Sequence, residues 1–290
     1  MSKVKKTKRF PLPLRYPGGK FYAMDVLRPF FEGAKHDEYR EPFAGGATVF
    51  FHKEKAPYNV LNDMDIELVT LYRVLQDKTK RQLLDARYLE EPEATKERWR
   101  EVMDFSPTNE LDVAWKYYFL NRTSFSGKLV SAAWGYRPKR SLPPFRWHER
   151  INPSGEKLEN VEITHGDFSD AILREAKKEG GQVLMYVDPP YYLPPKHKHY
   201  RHGLDKEDHI RLAECLKKTK HKFFLTYDDC EEIREIYKWA NIYELQFIYR
   251  VQDSNTSSGS RKTGFELVIT NFVPESFKQE REQLELLEEI

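Results

Sequence analysis

The chain has 290 residues, with 48 Lys and Arg against 46 Asp and Glu, 39% apolar and 14% aromatic residues. That content excludes global disorder and suits one large domain or a core domain with a smaller insert. No apolar run approaches the roughly 18 residues of a membrane span, residues 1–20 lack the apolar stretch of a signal peptide, and the two cysteines, Cys215 and Cys230, make neither a disulfide framework nor a zinc site, so a reducing, cytoplasmic setting is expected.

The net charge of +2 is unevenly spread: residues 1–20 hold seven Lys or Arg and no acid, while the tail from Glu275 is mostly acidic. A basic arm suits a polyanionic partner. For Lys3 to Arg9 alone, a solvated terminus serves as well. In chain order, "DEYREPFAGGATVFFHKE" reads as a strand ending near Phe43, a turn at Gly45-Gly46 and a helix from about Ala47. "YNVLND" is a second strand, from Tyr58 to Asn62-Asp63, and the segment after it has apolar residues at helical spacing (Ile66, Val69, Tyr72, Val74-Leu75). Residues 78–158 break this rhythm. They hold a charged helical stretch from Lys80 to Met103, an aromatic helix "LDVAWKYYFLNRTSF", and a loop-like run "SGKLVSAAWGYRPKRSLPPFRWHER". Alternation resumes with strand "VEITHGDF", a helix from Ser169 to Lys178, strand "VLMYVD", a helix near Lys206–Thr219 and strand "KFFLTYDD". Two final strands, "IYELQFIYRV" and "GFELVITNF", are expected to pair antiparallel at one edge of the sheet.

This pattern predicts a doubly wound α/β sheet, and ligands of such sheets lie beyond the carboxyl ends of the strands. Four strand ends carry unusual chemistry: "FAGG" at Phe43, Ala44, Gly45 and Gly46; Asp63; "GDF" with Asp167 and Phe168; and "DPPY" with Asp188, Pro189, Pro190 and Tyr191. Two glycines let backbone approach a ligand, although packing alone also selects glycines at a helix start. Asp63, twenty residues after Phe43, is placed to accept hydrogen bonds from ribose hydroxyls, or to cap the helix that begins near Asp65. No Walker-type lysine follows the glycines, which argues against a triphosphate. In "DPPY" the prolines hold an extended backbone and leave carbonyls outside any ladder. The Asp188 carboxylate and the Pro189 carbonyl then form two acceptors matched to the two hydrogens of an exocyclic amine. Tyr191 adds a ring for stacking on a base, worth about 1–3 kcal/mol. The bland alternative is a rigid exit from a strand.

These blocks together resemble the Dam-type, D12 class (alpha group) DNA adenine-N6 methyltransferases. The resemblance runs through "LRYPGGK" at 14–20, "EPFAGGATVFF" at 41–51, "LNDMD" at 61–65, "NRTSFSG" at 121–127, "HGDF" at 165–168, "DPPY" at 188–191 and "LTYDD" at 225–229. It implies a Rossmann-like S-adenosylmethionine-dependent methyltransferase sheet with helices on both faces, carrying an inserted, mainly helical target-recognition subdomain. The expected boundaries are 1–77 and 159–274 for the catalytic domain, 78–158 for the insert and 275–290 for the acidic tail. It further implies S-adenosylmethionine as cofactor, held by Tyr16, Gly18, Gly19, Lys20 (toward its carboxylate), the "FAGG" residues, Asp63, Asp167, Phe168 and Asp188. Tyr16 stands where the family usually has Trp and keeps a flat ring.

By the same resemblance Asp188, Pro189, Pro190 and Tyr191 are catalytic, acting on an adenine flipped from double-stranded DNA. Arg15 matches a base-contacting basic residue. Asn121, Arg122, Lys128, Arg137, Lys139 and Arg140 are the expected DNA contacts, since Arg reads guanine edges and both Arg and Lys reach phosphates. The family's hairpin text after "NRTSFSG" is replaced here by "WGYRPKRSLPPFRW", so no target sequence is implied. No metal is needed; His197, His199 and His202 read as a basic solvated loop. A cognate restriction endonuclease and a monomeric state fit the family. Methylation of RNA adenine or cytosine N4 is the rival enzyme reading. A dead binding module would have lost Asp188 or Lys20, and a nicotinamide enzyme would need a G-x-G-x-x-G turn; neither condition is met.

Overall fold

The computed structural model describes residues 10–16, 18–91, 93–192, 202–250 and 261–278. The Lys3–Arg9 arm, His197 and His199, residues 251–260 and the tail from 279 lie outside the described residues. The chain divides into two compact units. One comprises Met1–Gly19, Gly45–Glu54 and Ile66–Asn160, the other Lys20–Ala44, Lys55–Asp65 and Val161–Ile290.

The second unit contains the sheet. Its strands are β1 (Glu38–Glu41), β2 (Tyr58–Asp63), β3 (Glu162–His165), β4 (Val183–Val187), β5 (Lys222–Asp228), β6 (Asn241–Arg250) and β7 (Arg261–Thr270), in the order β3-β2-β1-β4-β5-β7-β6. Strands β1 to β5 run parallel, and β7 runs antiparallel to both β5 and β6. The order reverses between β1 and β4, which is the switch point of a Rossmann-like sheet.

The apolar run in β4 has no alternation because both of its faces are covered. Val183, Met185 and Val187 pack with the helices Phe168–Leu173, Lys206–Lys218 and Glu231–Ile236. On the opposite face the helix Met24–Phe31 brings Phe31 to 5.9 Å from Phe224 and Phe30 to 5.2 Å from Tyr243. Each fully buried Leu, Val or Phe there contributes about 1.5–3 kcal/mol.

A buried arginine shapes the strand ends opposite the candidate site. Arg40, in β1, donates from Nε to Glu38 (2.8 Å), from Nη1 to the carbonyls of Ala171 (2.8 Å) and Arg174 (2.9 Å), and from Nη2 to the Glu175 carbonyl (2.9 Å). Glu38 in turn accepts from the Lys177 backbone N–H. This corrects the helix expected over 169–178. It stops at Leu173, because the carbonyls and amides beyond it are engaged by Arg40 and Glu38 rather than by a helix ladder.

The first unit contains only helices and loops among the described residues. Its helices are Thr48–His52, Ile66–Gln76, Lys78–Leu89, Lys96–Asp104, Glu110–Thr123 and His148–Leu158. Three of them start on side-chain caps: Asp77 accepts from Lys80 N (3.0 Å), Thr95 from Arg98 N (3.1 Å) and Asn109 from Asp112 N (3.0 Å). Each cap is worth about 1 kcal/mol. The Thr95 cap divides the single charged helix expected over 80–103 into two. The last helix begins inside the run expected to be loop-like, at His148, and continues past it to Leu158 with Pro153 within it. Gly155 is required there, since a Cβ would collide with the Leu75 carbonyl and Arg81. Trp147 is fully buried against Tyr88 (4.8 Å), Tyr118 (5.5 Å) and Phe119 (5.7 Å).

Candidate active site

Asp188 follows β4 directly, on one side of the switch point. Its Oδ1 receives Lys20 Nζ at 2.8 Å and the Thr226 hydroxyl at 2.6 Å. Lys20 also donates to the Tyr191 hydroxyl at 2.8 Å, and its Nζ lies 3.8 Å from Glu266 Oε2. Thr226 is itself 3.1 Å from the Tyr186 hydroxyl. The Lys20 and Thr226 contacts both fall on Oδ1, and no hydrogen bond among the described residues engages Asp188 Oδ2, so one oxygen is held and the other is presented. Pro189 is buried, and the segment after Tyr191 is fixed by Asp228 of β5, which accepts from the Tyr192 N–H at 3.0 Å. Burial, then the charges of Glu266 and Asp188, push the Tyr191 hydroxyl well above its ordinary pKa. Lys20, expected to face a cofactor carboxylate, is thus engaged by the acid and the tyrosine of "DPPY". Thr226 and Glu266 were missed in the sequence because each looks like one polar residue in a buried strand.

On the other side of the switch point, Asn62 ties three strand ends together. Its Nδ2 donates to the carbonyls of Pro42 (3.0 Å) and Gly166 (2.9 Å), and its Oδ1 accepts from Thr164. The Asn62 carbonyl holds the Ala44 N–H. The result is a flat apolar element: Phe43 and Phe168 stack with centroids 5.2 Å apart. Asp63 accepts from the Asp65 N–H at 2.9 Å, a bond to the residue before the helix Ile66–Gln76 and not to its first turn. Asp167 caps the Phe168–Leu173 helix through Ser169 N and is bidentate with Arg211 (2.7 and 2.9 Å). The Arg211 bonds are the largest cause that lowers its carboxyl to a pKa of about 2. The Arg211 guanidinium also lies 4.2 Å from the Phe168 ring centroid.

The first unit places the remaining residues. Gly45 has φ +46°, and a Cβ there would sit 2.9 Å from the Tyr16 ring; at Gly46 it would sit 2.7 Å from Tyr16 Cβ, and at Gly19 2.9 Å from the Tyr16 carbonyl. Within this unit the glycines of "FAGG" and of "YPGGK" make room for Tyr16. Gly18 turns the chain at φ +75°.

Asn121 is buried and holds Arg15 from both sides, accepting from its N–H (2.9 Å) and donating to its carbonyl (2.8 Å), with a third bond to the Gly127 carbonyl (3.0 Å). Burial pushes the Arg122 guanidinium down to a pKa of about 10, with Arg15 and Arg150 adding to the effect and Tyr118 opposing it. Neither Arg122 Nε nor Arg150 Nε has a hydrogen-bond partner. Lys128 is half-buried, while Arg137, Lys139 and Arg140 are exposed.

Residues 16–251 match the family described as D12 class N6 adenine-specific DNA methyltransferase. The chain is 28% identical over 264 residues to the type II methyltransferase M.CviBI of Paramecium bursaria Chlorella virus NC1A, covering 89% of this chain and 98% of that one. It is 27% identical to the type II methyltransferase M1.LlaDCHI of Lactococcus lactis subsp. cremoris, covering 89% and 94%. It is 22% identical to the DNA adenine methylase of Escherichia coli K12, covering 93% and 97%.

Proposed function

The chain belongs to the D12 class of N6 adenine-specific DNA methyltransferases, and from that membership we propose how its strand ends divide the work. Asp188, Pro189, Pro190 and Tyr191 receive a target adenine turned out of duplex DNA. Phe43, Asp63 and Phe168, at the ends of β1, β2 and β3, would hold S-adenosylmethionine. The observation that carries the reading is the one-sided hold on Asp188, whose Oδ1 is taken by Lys20 and Thr226 while Oδ2 accepts no hydrogen bond among the described residues.

The donor set at the other strand ends fits the cofactor. Phe43 and Phe168 offer flat apolar faces for a base, and Asp63 offers a carboxylate for ribose hydroxyls. Lys20 serves Asp188 in this reading, so the cofactor's amino-acid end relies on other groups. When bound, S-adenosylmethionine supplies a methyl group on a positively charged sulfur.

The protein's own contribution is positional and electrostatic. Flipping costs a few kcal/mol, offset in part by stacking on Tyr191. Asp188 Oδ2 and the Pro189 carbonyl accept the two N6 hydrogens, which turns the N6 lone pair out of the ring plane and toward the methyl. The fixed Oδ1 prevents the carboxylate from rotating away. Arg15, steadied by Asn121, reads a base edge. Arg122, Lys128, Arg137, Lys139 and Arg140 bind the phosphate backbone. The enzyme acts in the cytoplasm as a monomer, either beside a cognate restriction endonuclease or alone.

The test incubates the protein and Asp188→Ala with labelled S-adenosylmethionine and unmethylated duplex DNA, then locates modified bases by single-molecule sequencing. The expected result is methyl on adenine N6 at one short motif, reduced on the order of a thousandfold or more in the variant. Label on cytosine, or on RNA alone, would replace this reading with its rival.

A further inference from the structure

Beside Asp188 stands a third buried charge whose function is unassigned. Lys20 and Glu266 are 4% and 5% exposed, and Lys20 Nζ lies 2.8 Å from Asp188 Oδ1 and 3.8 Å from Glu266 Oε2. The Tyr191 hydroxyl receives Lys20 Nζ at 2.8 Å, and the charge of Glu266 helps to hold that hydroxyl above its ordinary pKa. Glu266 lies on β7, paired with Asp228 of β5. It comes from the antiparallel strand, far in sequence from every motif used above.

A carboxylate matched one-to-one by an ammonium is a poor acceptor and offers little to a developing cation. Lys20 alone would do this to Asp188. With Glu266 present, the one ammonium is shared between two carboxylates, so Asp188 keeps more of its own charge. In a buried setting that difference is weakly screened. The reaction places charge where the cluster can act on it. The N6 lone pair becomes the new N–C bond, the pair of the broken C–S bond stays on sulfur, and one N6 proton leaves to water, so N6 is transiently cationic. A carboxylate that keeps its charge in advance stabilises that change more than it stabilises the neutral amine.

We propose that Glu266 is a positioning residue that keeps Asp188 effective by countering Lys20, touching neither the base nor the methyl group. The inference rests on the reading that Asp188 receives the adenine. The measurement is single-turnover methyl transfer at saturating cofactor, with cofactor dissociation constant and thermal midpoint alongside. Glu266→Gln is nearly isosteric and is expected to slow transfer on the order of 10- to 100-fold, with cofactor affinity changed less than about threefold. Glu266→Asp, which keeps the charge, restores most of the rate.

The deciding variant is Lys20→Gln with Glu266→Gln. If Glu266 acts through Lys20, the pair transfers methyl at the rate of Lys20→Gln alone. Because Lys20 and Glu266 are neutralised together, this double variant leaves neither of them facing the other's lost charge, and it decides the matter even where Glu266→Gln does not fold. Additive losses, a wild-type rate in Glu266→Gln, or equal losses of rate and cofactor affinity would overturn the proposal. A wild-type protein that does not methylate adenine would instead overturn the reading beneath it.

Discussion

Arg40 and Arg122 are both almost fully buried, at 0% and 4% exposure, one in each unit. Around Arg40 every contact is closed: a carboxylate and three carbonyls take its donors. Arg122 has burial without closure. Its Nε is unpartnered, its positive neighbours Arg15 and Arg150 oppose its charge, and none of the three forms an ion pair among the described residues. The same side chain therefore serves two purposes. In the sheet it is a strut, with the desolvation cost met by hydrogen bonds. In the helical unit its charge forms no ion pair among the described residues, in keeping with the phosphate contact proposed for it.

The contrast can be broken at its stronger end first. Arg40→Met strands Glu38 and the carbonyls of Ala171 and Glu175, and is expected to cost about 3–5 kcal/mol in urea unfolding; a loss under about 1 kcal/mol would show that the closed network contributes little. Thr226→Val removes a hydrogen bond to a carboxylate, worth about 1.5–3 kcal/mol. It should appear as a 10- to 100-fold slower single-turnover methyl transfer with DNA affinity unchanged. Arg122→Met is the mirror of the first variant. Its stability should move by less than about 1 kcal/mol, while DNA affinity falls about tenfold and the salt slope of binding drops by about one.

The smallest effect concerns Asp167, whose folded carboxyl is depressed to about 2. A depressed acid stabilises the fold above its unfolded value and loses that contribution as pH falls through the folded one. Asp167→Asn should therefore lower the thermal midpoint slightly at neutrality and flatten its pH dependence between about pH 4 and 2. Both partners are substantially exposed, so the slope removed is modest.

What could be read from the sequence follows the same division. Strands β2, β4 and β5 and the helix Lys206–Lys218 were legible because their apolar runs or periodicity are set locally. The helix His148–Leu158 was not, since Pro153 argues against a helix locally and Gly155 is explained only by its close approach to Leu75 and Arg81. At the site, "DPPY" was legible because its prolines leave few conformations open. Asn62 and Thr226 lie in the quoted blocks "LNDMD" and "LTYDD", but their contacts, like those of Glu266, were hidden because the partners are far away in sequence. The glycines of "FAGG" were read toward a ligand, whereas Gly45 and Gly46 admit Tyr16, a neighbour no local pattern reveals.

The charges buried in β1 also bear on how the chain is made. β1 is flanked by β2 and β4, yet β4 begins about 140 residues after β1 ends. At about 5–20 residues per second, translation leaves one edge of β1 without its final neighbour for roughly 7 to 30 s. An apolar strand waiting that long would recruit the wrong edge. A strand reading Glu38-Tyr39-Arg40-Glu41 discourages such pairing through the charges it later encloses, so the ribosome-bound protein is protected from aggregation by the residues that finally lock the sheet.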